Sequence, residues 1–270
     1  MLDNMNYIQQ YDSQDALSLA ASTPEQLSHN FGVRVTRNAS IDTVVFSAMG
    51  GSALQAEFVK TWPHLNVPFI VSKDYNLPEF VNENTLVIVA SYSGNTDETL
   101  SALSQAREKN AQIAIMAGGG TLLEQAEQYG DTFVQVPKAI QPRMAVFYAF
   151  RALIELLVAY EIVETRVIDE LEKIVPSLEA ATAQWVKEVP TSDNPAKQLA
   201  EKLVGKTPII YSGPRMAPAA YKWKISVNEN AKNTAWWNTL PEFNHNEFIG
   251  WSSHPVEKPF AVIDLLSSFE

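Results

Sequence analysis

The segment Ser91-Tyr92-Ser93-Gly94-Asn95-Thr96 places three hydroxyls and a glycine within six residues, not counting the tyrosine phenol. It follows the apolar run Leu86–Ser91 and precedes a helix-patterned stretch, Asp97–Lys109. Such a junction can hold an anion. A helix N-terminus leaves N–H groups free and carries partial positive charge. Hydroxyls rotate to meet phosphate oxygens, and a glycine lets the backbone come close. A Ser/Thr cluster before a helix also reads as an ordinary cap, so a second loop matters. Met49-Gly50-Gly51-Ser52-Ala53 stands between an apolar run and a helical stretch in the same way. Two such loops at the ends of neighbouring strands face one crevice. Gly51, Ser52, Ser91, Ser93 and Thr96 are therefore the candidate phosphate ligands. Gly118-Gly119-Gly120-Thr121 closes a third apolar run and reads mainly as a tight turn.

Lys222 to Trp251 is the other chemically dense stretch. It holds Ser226-Val227-Asn228-Glu229-Asn230-Ala231-Lys232 and Pro241-Glu242-Phe243-Asn244-His245-Asn246-Glu247, beside Trp236, Trp237 and Trp251. Amides and aromatic walls suit a polar ligand such as a sugar. Moving a proton between adjacent carbons needs a base, and a partly dry Glu serves because desolvation raises its pKa. Opening a sugar ring needs an acid/base near neutrality, which suits His. Glu229 and His245 are the candidates. Taken singly, Glu229 reads as a solvated helix residue and His245 as a hydrogen-bonded structural one. Arg143, in Gln141-Pro142-Arg143 ahead of a long apolar stretch, could stabilise an oxyanion or form a helix-start ion pair. His29, His64 and His254 stand in less distinctive contexts, and four scattered histidines without ligand spacing argue against a metal site.

These residues need elements to position them. Five short apolar runs (43–48, 67–72, 86–91, 113–117 and 132–136) alternate with helix-patterned stretches. Continuous apolar runs mark strands buried on both faces, as in a parallel sheet. The alternation predicts a doubly wound α/β domain over residues 1–163, closed by a long buried helix over 142–163. Residues 164–195 read as a helical connector, 166–189, and a turn-rich linker. A second α/β unit follows over 196–270, with helices at 196–203 and 217–230 and strands at 208–212, 234–237 and 260–265. With three strand candidates against five, it reads as incomplete, as completed by another subunit, or as a genuinely small second layer.

The chain has 270 residues, net charge −11 and no cysteine. Disulfides, thiolate metal sites and a cysteine nucleophile are excluded. An acidic chain lacks the footprint of a nucleic-acid binder and is repelled by anionic membranes. Arg151, Glu155 and Glu161 interrupt the longest apolar stretch, so it reads as a buried helix and not a membrane span. The start shows no basic region ahead of an apolar run, so a cytoplasmic protein is expected.

Over Met49–Ala53, Ser91–Leu100, Gln141–Arg143, Ser226–Lys232 and Pro241–Trp251, the chain resembles the bifunctional phosphoglucose/phosphomannose isomerases of the sugar isomerase (SIS) superfamily. Ser-Tyr-Ser-Gly-Asn-Thr is widespread there and implies sugar phosphate. Asn-Glu-Asn-Ala-Lys followed by Pro-Glu-x-Asn-His-Asn-Glu is narrower and implies the subfamily. The resemblance implies two SIS subdomains of the α/β class, with parallel sheets flanked by helices. It implies interconversion of glucose 6-phosphate and mannose 6-phosphate with fructose 6-phosphate, in glycolysis and gluconeogenesis, without cofactor or metal. Ser52, Ser91, Ser93 and Thr96 would bind phosphate. Glu229 would shuttle the proton through a cis-enediol, and Arg143 would stabilise the enediolate. His245 would assist ring opening across the interface of a homodimer. The family's C-terminal active-site lysine and threonine have no counterpart before Glu270. The competing readings are a non-catalytic sugar-phosphate-binding SIS regulator and an isomerase of amino-sugar or heptose phosphates.

Overall fold

The computed structural model describes residues 1–35, 40–138, 141–253, 257 and 259–268, so His254 lies outside the described residues. Its contacts group residues 8–186 into one compact unit and residues 1–7 with 187–270 into another. That division falls inside the expected connector, 164–195, because the helix following residue 165 packs into the first core.

Two short helices, α1 (Met5–Tyr11) and α2 (Ala16–Ala21), and a 3-10 segment, Thr23–Ser28, come first. The larger unit then alternates strand and helix: β1 (Thr43–Ala48), α3 (Leu54–Thr61), β2 (Phe69–Ser72), β3 (Thr85–Ser91), α4 (Asp97–Glu108), β4 (Gln112–Ala117), α5 (Gly120–Tyr129) and β5 (Thr132–Gln135). All pairings are parallel, in the order β2-β1-β3-β4-β5. All seven residues of β3 are buried, as its unbroken apolar run requires. Alternate side chains feed two cores. Leu86, Ile88 and Ala90 meet α3 and the later helices α6 (Val146–Ala159) and α7 (Arg166–Thr182), while Val87 and Val89 meet α4 and α5. Each such apolar side chain contributes about 1.5–3 kcal/mol.

Boundaries moved where proline or charge intervenes. β2 starts at Phe69, not Val67, because Pro68 has no N–H and offers only its carbonyl, to Val44 N at 2.9 Å. The stretch 142–163 divides into a 3-10 turn, Pro142–Met144, and α6, which stops before Glu161 turns left-handed. α7 ends at Thr182, short of Val189.

The charges inside α6 explain themselves. Arg151 and Glu155 are buried, with Nε to Oε1 at 2.7 Å. Arg151 also donates to Leu27 O at 2.9 Å, and Glu155 accepts from Phe31 N at 3.1 Å. Gln26 completes the tie, donating to Met144 O and accepting from Tyr148 N. The polar N-terminal segment is thereby pinned along α6. No helix among the described residues is long and apolar enough to cross a membrane.

In the smaller unit, Asn194 caps α8 (Pro195–Leu203), its Oδ1 accepting from Ala196 N and Lys197 N. β6 (Thr207–Ser212), α9 (Ala217–Asn230), β7 (Trp236–Thr239), α10 (Glu247–Trp251) and β8 (Phe260–Leu265) follow. The three strands are parallel, with β6 central. β7 begins two residues later than its apolar run, since Asn233 turns the chain by accepting from Thr234 N and donating to Lys206 O. It extends through Asn238 and Thr239, which pair with Tyr211 and Ser212.

Replacing Arg151 by Met strands the Glu155 carboxylate in the core. Urea unfolding should show a loss of about 3–5 kcal/mol, of which the double replacement Arg151→Met, Glu155→Leu restores part.

Candidate functional site

In the sheet order of the larger unit, the strand sequence reverses direction between β1 and β3. Ligands bind at such a switch point, beyond the carboxyl ends of the strands. β1 and β3 pair directly, Ala48 opposite Ala90, so the loops that leave them are neighbours. A hydrogen bond joins the loops: Tyr92 N–H donates to Ser52 Oγ at 3.1 Å.

Within the second loop the hydroxyls cluster. Ser91 Oγ lies 2.8 Å from Thr96 Oγ1 and 3.3 Å from Ser93 Oγ. Ser91 Oγ also accepts from Gly94 N at 3.2 Å, and Ser93 Oγ from Asn95 N at 3.2 Å. Ser91 is buried, whereas Ser93 is exposed and Thr96 half-buried at the N-cap of α4. A hydroxyl that exchanges a neighbouring hydroxyl for an acceptor oxygen needs only a rotation about one bond.

Gly94 has φ +73°, and a Cβ there would stand 1.7 Å from Gly119 O. The third loop, which the residue pattern marked mainly as a tight turn, is therefore also the buttress of the second. Gly118 N donates to Tyr92 O and Leu122 N to Gly94 O, both at 3.0 Å, and Thr121 N donates to Asn95 Oδ1 at 2.9 Å. The legible signal was the triple glycine, since two backbones approach this closely only where side chains are missing. On the other side, a Cβ on Gly51 would meet the Pro142 side chain at 3.5 Å and the Arg143 backbone at 3.6–3.9 Å, ordinary van der Waals contact. The structure thus gathers Gly51, Ser52, Ser91, Ser93, Thr96 and the Arg143 backbone at one end of one sheet.

Glu229 and His245 belong to the smaller unit, and that unit does not bring them together. Glu229 is half-buried in the last turn of α9, where Lys232 Nζ caps its carbonyl at 2.7 Å. Helix α9 returns from the carboxyl end of β6 toward the start of the sheet, where Asn233 reaches Lys206 O. His245 follows β7, at the opposite edge, and closes the exposed 3-10 turn Glu242–His245. The six residues of β6 separate these edges by roughly 20 Å.

The turn bearing His245 is held from both flanks. Phe243 is buried and stacks on Tyr211, ring centroids 4.2 Å apart. Glu247 accepts from Tyr211 Oη at 2.5 Å and from Asn238 Nδ2 at 2.6 Å, and Trp251 Nε1 donates to Tyr211 Oη at 3.0 Å. Burial first, and the Glu247 carboxylate second, push the Tyr211 phenol up to about 12.

Residues 39–160 match the model of the SIS domain, and residues 192–270 match that of the bacterial phospho-glucose isomerase C-terminal SIS domain. A bifunctional phosphoglucose/phosphomannose isomerase from Caldicellulosiruptor bescii is 39% identical over 239 residues, covering 85% of this chain and 70% of that one. The chain belongs to this family. A D-glucosamine-6-phosphate 4-epimerase from Sulfolobus acidocaldarius is 32% identical over 213 residues, 78% of this chain and 65% of that one. The chain therefore spans 70% and 65% of the lengths of these relatives. The C-terminal domain of glucosamine-fructose-6-phosphate aminotransferase from Francisella tularensis superposes with TM-score 0.68 at 16% identity, over 92% of this chain and 75% of that one. That likeness is one of fold, the SIS arrangement of parallel sheets flanked by helices.

Two outcomes follow from the geometry. Gly94→Ala forces the second and third loops apart, and titration with inorganic phosphate should weaken by tenfold or more while the far-ultraviolet spectrum holds. For Tyr211 the folded pKa lies above the unfolded value of 10.0. Its contribution to stability is complete below pH 10 and is lost as pH rises toward about 12, so Tyr211→Phe should flatten unfolding stability over that window.

Proposed function

We propose that this protein is an aldose–ketose isomerase, interconverting glucose 6-phosphate, and mannose 6-phosphate, with fructose 6-phosphate. The observation that carries the reading is the 39% identity to a bifunctional phosphoglucose/phosphomannose isomerase over 85% of the chain. The hydroxyl-lined loops at the β1/β3 switch point support the phosphate end of the substrate, held by Ser52, Ser91, Ser93 and Thr96 with Gly51 giving close approach. Glu229 takes the proton from C2 of the opened aldose and returns it to C1, so that a cis-enediol lies between substrate and product. Arg143 offsets the charge that develops on the enediolate oxygen, and His245 moves the ring-opening proton.

Glu229 and His245 stand at opposite edges of one sheet in a single chain. One centre that uses both therefore draws them from two copies, and a homodimer with its active site at the interface follows. Phe248 and Ile249, exposed just beyond His245, give that turn an apolar contact surface.

The epimerase relative, at 32% identity, supports a second reading in which the same loops hold an amino-sugar phosphate. A regulator module that binds without turnover is the third. Assay of fructose 6-phosphate, mannose 6-phosphate and glucosamine 6-phosphate separates them, and turnover of neither hexose phosphate would sink the isomerase reading. Glu229→Gln should lower kcat by about 10²–10⁴-fold with substrate affinity retained. Mixing inactive Glu229→Gln and His245→Ala chains should recover about a quarter of wild-type activity, from the one intact centre in each mixed dimer. No recovery would mean that both residues serve from one chain.

A further inference from the structure

His245 is exposed, yet the residues two before and two after it are fastened to the same side chain. Phe243 stacks on the Tyr211 ring, and Glu247 accepts a 2.5 Å hydrogen bond from the Tyr211 hydroxyl. The second Glu247 oxygen accepts a hydrogen bond from Asn238 Nδ2 at 2.6 Å. Tyr211 is the next-to-last residue of β6, and Asn238 pairs beside it on β7. Trp251, the last residue of α10, closes the ring by donating to Tyr211 Oη. One carboxylate thus anchors the whole segment from Glu242 to Trp251 to two adjacent strand ends. Both of its bonds are charge-assisted, the strong kind. A five-residue helix and a four-residue 3-10 turn have no cooperative stability of their own, so this anchor, with the Phe243 stack, fixes where the segment sits.

We propose that Glu247, through Tyr211 and Asn238, is the positioning residue that presents the His245 imidazole for reaction. This rests on the isomerase reading, in which His245 moves the ring-opening proton. Both Glu247 oxygens are engaged by the strand ends, so its part is to hold the turn. Its role is to convert a short exposed turn into a rigid platform, which matters because small misplacements of a catalytic group cost large factors in rate.

The test uses the full chain. Glu247→Ala and Tyr211→Phe should each lower kcat for glucose 6-phosphate by at least tenfold with KM within about twofold. The double variant should be no slower than Glu247→Ala alone, because the two residues act as one unit. Exchange between the α and β anomers of glucose 6-phosphate, followed by NMR, should slow in step with kcat, and His245→Ala should slow it likewise. Glu247→Gln, whose carbonyl still accepts from Tyr211, should recover part of the rate. A folded Glu247→Ala with unchanged kcat and anomer exchange overturns the proposal. If that variant does not fold, Tyr211→Phe decides, since it keeps the ring stack and loses only the hydroxyl. If the wild-type protein turns over no sugar phosphate, the isomerase reading has failed. The positioning is then read from the His245 ring resonances. They should be dispersed in wild type and move to random-coil positions in Tyr211→Phe, and resonances unchanged between the two overturn it.

Discussion

One hydrogen bond, from the Tyr92 amide to the Ser52 hydroxyl, ties together the two hydroxyl-bearing loops at the β1/β3 switch point. It exists because β1 and β3 are sequence-distant but spatially adjacent, and because both run in the same direction to the same edge. A parallel sheet in any other order would send the loops to different neighbours. The burial of β3 on both faces holds that order in place. Around the bond, the backbone of the third loop closes on Gly94 from one side, and the Pro142–Arg143 turn lies near Gly51 on the other. The site is a stack of main-chain segments with hydroxyls at its rim. On a chain of net charge −11, such local donors can receive an anion without a broad positive field.

The smaller unit solves a different problem. Its chemistry lies on short elements with little intrinsic order, and it anchors them by side chains. Tyr211 carries the work on one edge of the sheet, meeting Phe243, Glu247 and Trp251. On the other edge, the Asn228–Lys232 motif is spent partly on closing α9. Lys232 caps the Glu229 carbonyl, and Asn228 Nδ2 donates to Asn233 O at 2.9 Å. A motif read for its carboxylate is thus also a helix terminator, which sets the position of Glu229 in the last turn.

Much of this was readable in the residues, and the remainder was hidden for physical reasons. β1 and β8 match their expected bounds end to end, since no proline breaks either run and a single polar residue, Ser47 or Asp264, does not stop the backbone pairing. β7 was displaced because an edge strand continues on backbone pairing after its apolar residues stop, through Asn238 and Thr239. The hydroxyls of Ser91, Ser93 and Thr96 were legible as a cluster, since loop chemistry is local. The triple glycine at Gly118–Gly120 signalled a close backbone approach but not its partner, because the brace joins segments 25 residues apart and glycine alone does not say what comes near it. Glu247 stood in the quoted motif without a role, as its partners Tyr211 and Asn238 are defined only by strand pairing.

The separation of Glu229 from His245 across the second sheet has a consequence for how such an enzyme lives in solution. If one centre uses both, a lone chain carries a base and an acid that never meet. Turnover then depends on protein concentration as well as substrate. Below the dissociation constant of the pair, specific activity falls with dilution, even though every chain is folded and every phosphate loop is intact.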